Sequence, residues 1–173
     1  MIKKELLKPG QILFYRVIKN TGFTGQFIGW AQHVIGKTPL HGSQSYCHVG
    51  ILDTDTNYLL EAKWPKTRRW LIDWNKIEKH YGVEVWEVKN VTPEQVKLAI
   101  DWCHDNLGEW YDVGLFVWGL FDFKHAEVCS TFVGKAWEDA GIEFKEYKEI
   151  NKNPDFWVPD ELIANVDIIE RVQ

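Results

Sequence analysis

Apolar and polar residues alternate along several segments of the chain in the way that β-strands require. QILFYR at 11–16 follows a KPG turn and is expected to form the first strand. YCHVGILDTDTNYLLEAKW at 46–64 has two short apolar runs around a polar DTDT turn, which predicts a β-hairpin. VEVWEV at 83–88 alternates residue by residue and is expected to form a further strand.

Other segments repeat apolar residues at the spacing of an α-helix. The clearest is 92–107, where Thr92 is a good N-cap, Pro93 suits the first helical position and Gln95 completes a capping box. Further helical patterns lie at 22–36, at 71–80, within 110–123 and, before a final short strand, within 157–173. The mixture of strands and helices predicts one α+β domain over residues 1–173.

A cysteine lies in the first turn of a further predicted helix, in HAEVCSTFVGKAWEDAG at 125–141. Apolar residues recur there at helical spacing, and Gly141 is a C-terminal stop signal. A thiolate at Cys129 would meet the partial positive charge and the free N–H groups of a helix N-terminus. The same N–H groups would stabilise an oxyanion that forms beside the sulfur. The alternative interpretation of Cys129 is a small buried residue at the start of a helix.

The hairpin offers a histidine and a carboxylate as partners for this cysteine. If residues 53–56 form a four-residue loop, Leu52 pairs with Asn57 and His48 lies directly opposite Glu61. Directly opposed residues share a face of the sheet, so Glu61 could orient the imidazole and stabilise its cation. A register shift of one residue would place the two on opposite faces. A solvated cross-strand ion pair would give the same sequence pattern.

Composition and charge exclude several classes of protein. Twenty Lys and Arg against 25 Asp and Glu give a net charge of −5, which provides no electrostatic case for nucleic-acid binding. The basic segment KWPKTRRW at 63–70 is short and is expected to be a solvated loop. No apolar run approaches the length of a membrane span.

The cysteine content favours a reducing compartment. The N-terminal segment has no apolar region before Lys8 and Pro9, so we expect no signal peptide. Three cysteines without a secretion signal indicate reduced thiols rather than a disulfide framework. The expected location is therefore cytoplasmic.

Neighbouring cysteine and histidine residues also raise the possibility of a zinc site. The pairs Cys47-His48 and Cys103-His104 contain suitable ligands, but the chain has no Cys-x2-Cys knuckle. Adjacent residues of a strand point to opposite faces, so Cys47 is expected to face away from Glu61 and into packing. Cys103 fits the apolar stripe of its helix. We therefore expect no metal site.

Six sequence pieces, in order and spanning almost the whole chain, carry a family resemblance. They are LKPGQILF at 7–14, HVGI at 48–51, LLEA at 59–62, GEWYDVGLF at 108–116, VCSTFVGKAW at 128–137 and VPDELIANVDIIERV at 158–172. With these pieces the chain resembles the circularly permuted branch of the NlpC-type papain-like cysteine hydrolases, the YiiX-like group. Gln11 departs from the family, which often has aspartate at that position, and we expect a structural role there.

The resemblance implies a fold and a set of site residues. The fold would be papain-like and circularly permuted, with an antiparallel sheet packed against the nucleophile helix. Cys129 would be the nucleophile, His48 the general base and Glu61 the residue that orients His48. Tyr111 matches a family tyrosine near the reaction centre, where it would aid the oxyanion or substrate binding. The resemblance implies no metal or organic cofactor.

Three functions are expected from these residues. The first is hydrolysis of an amide bond, in a small peptide of cell-wall type, through an acyl-thioester intermediate. The second is hydrolysis or transfer of a lipid acyl group, for which the aromatic stretch 110–123, with Trp30 and Trp157, could supply an apolar channel. The third is a non-catalytic binding module, against which the intact set of cysteine, histidine and glutamate argues.

Overall fold

An antiparallel sheet organises the part of the chain that the structure describes. The computed structural model describes residues 2–18, 46–111, 126–127, 129–144, 159–165 and 167–173. The strands are β1 (Ile12–Val17), β2 (Tyr46–Leu52), β3 (Tyr58–Lys63), β4 (Lys66–Leu71), β5 (Tyr81–Val88), β6 (Trp110–Tyr111), β7 (Ala126–Glu127) and β8 (Ile169–Arg171). The helices are α1 (Trp74–His80), α2 (Pro93–Asp105), α3 (Cys129–Asp139) and α4 (Pro159–Ala164).

The sheet has the order β7-β6-β4-β3-β2-β1-β5-β8. The six strands from β4 to β8 in this order are paired antiparallel throughout. The two short strands extend the sheet beyond β4, where β6 pairs antiparallel with β4 and β7 runs parallel to β6. The described chain is thus α+β, as the sequence predicts.

Most of the predicted elements are present. The strands expected at 11–16 and 83–88, the hairpin and the helices at 71–80, 92–107 and 125–141 are all confirmed, with ends that differ by a few residues. The C-terminal helix and strand are also confirmed. The helix expected at 22–36 and most of the stretch 110–123 lie outside the described residues.

The basic segment at 63–70 was wrongly expected to be a solvated loop, because Lys66–Leu71 is the strand β4. Thr67 lies buried in this strand, and its hydroxyl donates to the carbonyl oxygen of Asn106 at 2.6 Å. The two arginines that follow pair with buried carboxylates of Glu61 and Asp53. Two of the charges that suggested a loop, those of Arg68 and Arg69, therefore pair with acidic groups inside the fold.

Two hydrophobic clusters cover the two faces of the sheet. The larger contains β-sheet residues such as Phe14 and Leu60 together with buried residues of α2, α3 and α4. Helix α3 packs on β2 and β3, which are the strands of the hairpin. The smaller cluster includes Leu13 and Leu59 and is covered by α1 through Trp74 and Ile77. Helix α3 is thereby held against the hairpin, with its first residue near His48 at the start of β2.

Helix α2 has the N-terminal cap that the sequence predicts. The Thr92 hydroxyl accepts a hydrogen bond from the Gln95 N–H at 3.2 Å, and the Gln95 side chain accepts one from the Thr92 N–H at 3.0 Å. Among the described residues, no helix is long and apolar enough to cross a membrane.

We expect Thr92→Ala to lower the free energy of unfolding by about 1 kcal/mol, because it leaves a helix N–H without its acceptor. Urea denaturation followed by circular dichroism measures this change. Thr92→Ser keeps the acceptor and is expected to stay close to the wild type. Equal losses in the two variants would contradict a capping role of the hydroxyl.

Candidate active site

Cys129 is the first residue of α3, as the sequence predicts. Its side chain is buried, with 3% of the residue exposed, and it packs in the larger cluster with Tyr46 and Leu60. Ser130 and Thr131 follow it in the first turn and are also buried. The first N–H groups of a helix have no acceptor within the helix. Cys129 therefore lies where backbone donors can stabilise negative charge on or beside its sulfur.

His48 lies on β2 at a β-bulge. Tyr15 pairs with His48 and Arg16 pairs with Tyr46, so Cys47 is an extra residue between them. Bulges interrupt the alternation of side chains and re-aim them. Cys47 accordingly packs in the smaller cluster with Leu59, on the Glu61 side of β3, and the expectation that it faces away from Glu61 is wrong.

The register of the hairpin differs from the expected one by two residues. Leu52 pairs with Leu59 rather than with Asn57, and Ile51 pairs with Leu60, so the loop is longer than four residues. His48 and Glu61 are therefore diagonal neighbours and not directly opposed. Because side chains on a strand repeat with a period of two, a shift of two keeps both on the same face. His48 Nε2 donates to Glu61 Oε2 at 2.6 Å, as the predicted pairing requires.

The three predicted site residues meet at this point. The Cys129 side chain lies close enough to the His48 imidazole to help raise the pKa of that ring. Since Nε2 of His48 is bonded to Glu61, Nδ1 is the ring nitrogen left for the sulfur. The structure thus joins sulfur, imidazole and carboxylate in one chain of contacts, although Cys129 is 81 residues from His48 along the sequence.

His48 and Glu61 each shift the pKa of the other toward its charged form. Burial alone would lower the pKa of His48, but the charge of Glu61 and hydrogen bonds to Cys129 and Glu61 raise this pKa to about 9. Burial would raise the pKa of Glu61, but His48, Lys63 and Arg68 lower it to about 2. Near neutral pH the pair is therefore an imidazolium and a carboxylate. An imidazolium beside a sulfur favours the thiolate, the reactive form of cysteine.

Arg68 is a member of this site that the sequence interpretation missed. It is the direct cross-strand neighbour of Glu61 in the β3–β4 pairing. Its Nε and Nη2 donate to Glu61 Oε1 at 2.8 and 2.6 Å. The sequence KTRRWL was the available indication. Interpreted as a strand that pairs with β3, it would have placed Arg68 beside Glu61.

Tyr111 is the last residue of β6, and its backbone pairs with Glu127 of β7. Its side chain lies outside the part of the chain that the structure describes, as do Trp30, Trp157 and residues 112–125. The oxyanion role implied by the family resemblance therefore stays a prediction.

The other two cysteines are unsuited to nucleophilic chemistry. Burial, with a smaller contribution from Cys129, raises the pKa of Cys47 to about 12. Burial also raises the pKa of Cys103 well above its usual value, and this residue packs in the larger cluster as expected. All three cysteines are free. Within the described ranges, no three His, Cys, Asp or Glu side chains come together in a metal-binding arrangement.

A second buried carboxylate, Asp53, has partners similar to those of Glu61. Its Oδ1 accepts from His104 Nε2 at 3.0 Å and its Oδ2 accepts from Arg69 Nε at 2.5 Å. Burial would raise the pKa of Asp53, but hydrogen bonds from Arg69, His104 and the Thr54 N–H lower it. Among the described residues these hydrogen bonds involve no cysteine, although the charge of Asp53 contributes to the raised pKa of the buried Cys103. The cluster joins the hairpin loop to β4 and α2 and provides a matched control for the site at Glu61.

No protein-family model matches the chain, and no curated protein matches it. The geometry of Cys129, His48 and Glu61 is therefore the basis on which a function is assigned.

Proposed function

We propose that the protein is a cysteine hydrolase that cleaves an amide bond through an acyl-thioester intermediate. The observation that carries this proposal is the bond between His48 and Glu61 beside Cys129, which lies near enough to the imidazole to affect its pKa. The sulfur lies at a helix N-terminus, and the imidazole lies on a strand against which that helix packs. This arrangement, with the histidine strand preceding the cysteine helix in the chain, is the one expected of a circularly permuted papain-like fold.

The first half of the reaction would form the acyl-enzyme. With the proton already on His48, the Cys129 thiolate attacks the carbonyl carbon, and the carbonyl oxygen becomes an oxyanion. The Cys129 N–H, which lies at the start of α3, would donate to that oxyanion. The C–N bond then breaks, and the amine leaves with the proton from His48.

The second half would release the acid. Neutral His48 removes a proton from water, and the resulting hydroxide attacks the thioester carbonyl. The C–S bond breaks, the carboxylic acid leaves, and the thiolate again faces the imidazolium. Throughout the cycle Glu61 stays ionised and holds Nε2 of His48, so that Nδ1 remains directed at the sulfur and the substrate.

The proposal is tested by measuring the turnover of two substrate panels and by detecting the acyl-enzyme intermediate. Short peptides that contain D-Glu and a set of acyl esters are incubated with the wild type, and each mixture is acid-quenched for intact-mass spectrometry. We expect peptide turnover and a mass increase on Cys129 equal to the acyl group. Cys129→Ala is the control and should show neither. Turnover that persists in this variant would contradict the proposal.

One observation favours a second candidate, the hydrolysis of lipid acyl esters. Trp64 and Trp110 are 69% and 62% exposed, and the Lys66 ammonium lies 4.6 Å from the centre of the Trp110 ring. Lys66 is two residues from Arg68 and shares its face of β4. Exposed indoles with neighbouring lysines are suited to the boundary between water and lipid. Turnover of the acyl esters without turnover of the peptides would select this candidate.

A further inference from the structure

The guanidinium of Arg68 binds one oxygen of Glu61 and leaves the other for His48. Nε and Nη2 both donate to Oε1, at 2.8 and 2.6 Å, whereas His48 Nε2 donates to Oε2 at 2.6 Å. The carboxylate of Glu61 is therefore held between two donors on opposite sides, and its plane is fixed by three hydrogen bonds. A carboxylate held only by His48 would be free to rotate about its last torsion.

The position of Arg68 is itself fixed by the sheet. Glu61 and Arg68 are directly paired across β3 and β4, so their side chains leave the same face as close neighbours. The guanidinium lies 5.2 Å from the centre of the Trp70 ring, which limits the conformations of this long side chain. Glu61 is buried, with 1% of its side chain exposed, whereas 41% of the Arg68 side chain is exposed. Arg68 can therefore be replaced without opening a cavity in the core.

We propose that Arg68 is a positioning residue that fixes Glu61, and through Glu61 the ring of His48, in the orientation that faces Cys129. The catalytic consequence of this inference rests on the proposed function. The positioning itself concerns only Arg68, Glu61 and His48. Glu61 has to be an anion in one orientation to hold the imidazolium, and Arg68 supplies both the charge and the directed hydrogen bonds.

Other charged or titratable groups near Glu61 and His48 come from several strands. Tyr15 of β1 lies against His48, with ring centres 5.3 Å apart. Lys63 of β3 also lowers the pKa of Glu61. Tyr81 of β5 and Cys47 of β2 lie near enough to interact with this group of charges, and burial keeps both in their neutral forms at neutral pH. Of these residues, only Arg68 forms two hydrogen bonds to Glu61 in the described contacts.

The test compares Arg68→Met and Arg68→Lys with a matched control, Arg69→Met. Arg69 is the next residue of β4, carries the same charge and pairs with the buried Asp53 on the other side of the strand. Two quantities are measured in each full-length variant: the pH midpoint of His48, by NMR of its ring Cε1, and the rate at which iodoacetamide alkylates Cys129 at neutral pH.

In Arg68→Met we expect the His48 midpoint to rise, because a cation near the imidazolium is removed. Alkylation should nevertheless slow by about 10-fold, because Glu61 no longer holds the ring in the orientation that faces Cys129. Arg68→Lys keeps a charge but loses the paired donors. It is expected to keep a midpoint close to the wild type, yet to react several-fold more slowly. Arg69→Met should match the wild type in both quantities.

Identical midpoints and rates in Arg68→Met and Arg69→Met would overturn the inference. An equal slowing of alkylation in Arg68→Met and Arg69→Met would overturn it as well, since it would indicate a general effect of substituting β4. If the wild-type Cys129 reacts as an ordinary thiol, the proposed function fails. The His48 midpoints of the two methionine variants still decide whether Arg68 acts on the histidine.

Discussion

Replacing His48 by alanine is expected to slow the alkylation of Cys129 by iodoacetamide about 100-fold at pH 6.5. The imidazole lies near Cys129, and its pKa is raised to about 9, so the wild-type site contains an imidazolium at this pH. Without that cation the sulfur loses the neighbour that favours the thiolate, which is the form that reacts with iodoacetamide. A positioned acid–base group contributes typically about 10²–10⁴-fold to a rate, and we expect the lower end of that range.

The measurement is the second-order rate constant from pH 5 to pH 10, with peptide mapping to show that Cys129 is the labelled residue. His104→Ala is the matched control, because His104 also hydrogen-bonds a buried carboxylate but belongs to the Asp53 cluster. This control is expected to keep the wild-type profile. A His48→Ala profile that coincides with that of the wild type would remove the basis for a catalytic pair.

Replacing Glu61 by glutamine is expected to lower the pKa of His48 from about 9 to below its ordinary value, a shift of more than two units. Burial lowers the pKa of His48, and the charge of Glu61 is the largest of the effects that raise it. Glutamine fills the same space and can hydrogen-bond both Arg68 and the ring, but it has no charge. At neutral pH the variant should therefore contain neutral imidazole, and alkylation of Cys129 should slow accordingly.

The free energy of unfolding should also depend on pH through His48 and Glu61. The pKa of His48 is raised in the folded state, so its contribution is complete below its ordinary pKa and is lost as pH rises through about 9. The pKa of Glu61 is lowered to about 2, so its contribution is complete above its ordinary value and is lost as pH falls toward 2. The difference in unfolding free energy between wild type and Glu61→Gln should therefore be largest near pH 5–6.

NMR titration of the His48 ring and urea unfolding at several pH values measure these two effects. Asp53→Asn is the control, since it removes the charge of another buried carboxylate with an arginine and a histidine partner. It is expected to lower stability without moving the His48 midpoint. A His48 midpoint near 9 in Glu61→Gln would show that the carboxylate does not set the charge of the histidine.

Local sequence signals were sufficient where a helix or strand is specified by its own residues. The capping box at Thr92 and Gln95 forms as predicted, because both hydrogen bonds are made within four residues of chain. Helix α3 begins at Cys129, and its apolar residues recur at helical spacing on the face that packs against the hairpin. The segment 63–70 was misjudged because a strand rich in Lys and Arg looks solvated until its buried partners, Glu61 and Asp53, are known.

The pairing of His48 with Glu61 was predicted from a register that proved wrong by two residues. His48 and Glu61 still lie on the same face of the sheet, because side chains of a strand alternate with a period of two residues and the register differed by two. The bulge at Cys47 has no marker in the sequence that could be identified without the partner strand, since a bulge is defined by the pairing of two strands. Arg68 was missed because its segment was interpreted as a loop, so that its pairing with Glu61 was not considered.

The sequence by itself determined which side chains could do chemistry: a cysteine at the start of a helix, and a histidine and a glutamate on one hairpin. These follow from local patterns, whose physical basis is the periodicity and the end groups of single elements. Only the tertiary structure decided that the sulfur meets the imidazole and that Arg68 completes the ion pair. Both contacts depend on how α3 packs on β2 and how β4 pairs with β3, and packing between distant segments is fixed by the burial of the whole core rather than by any one stretch of sequence.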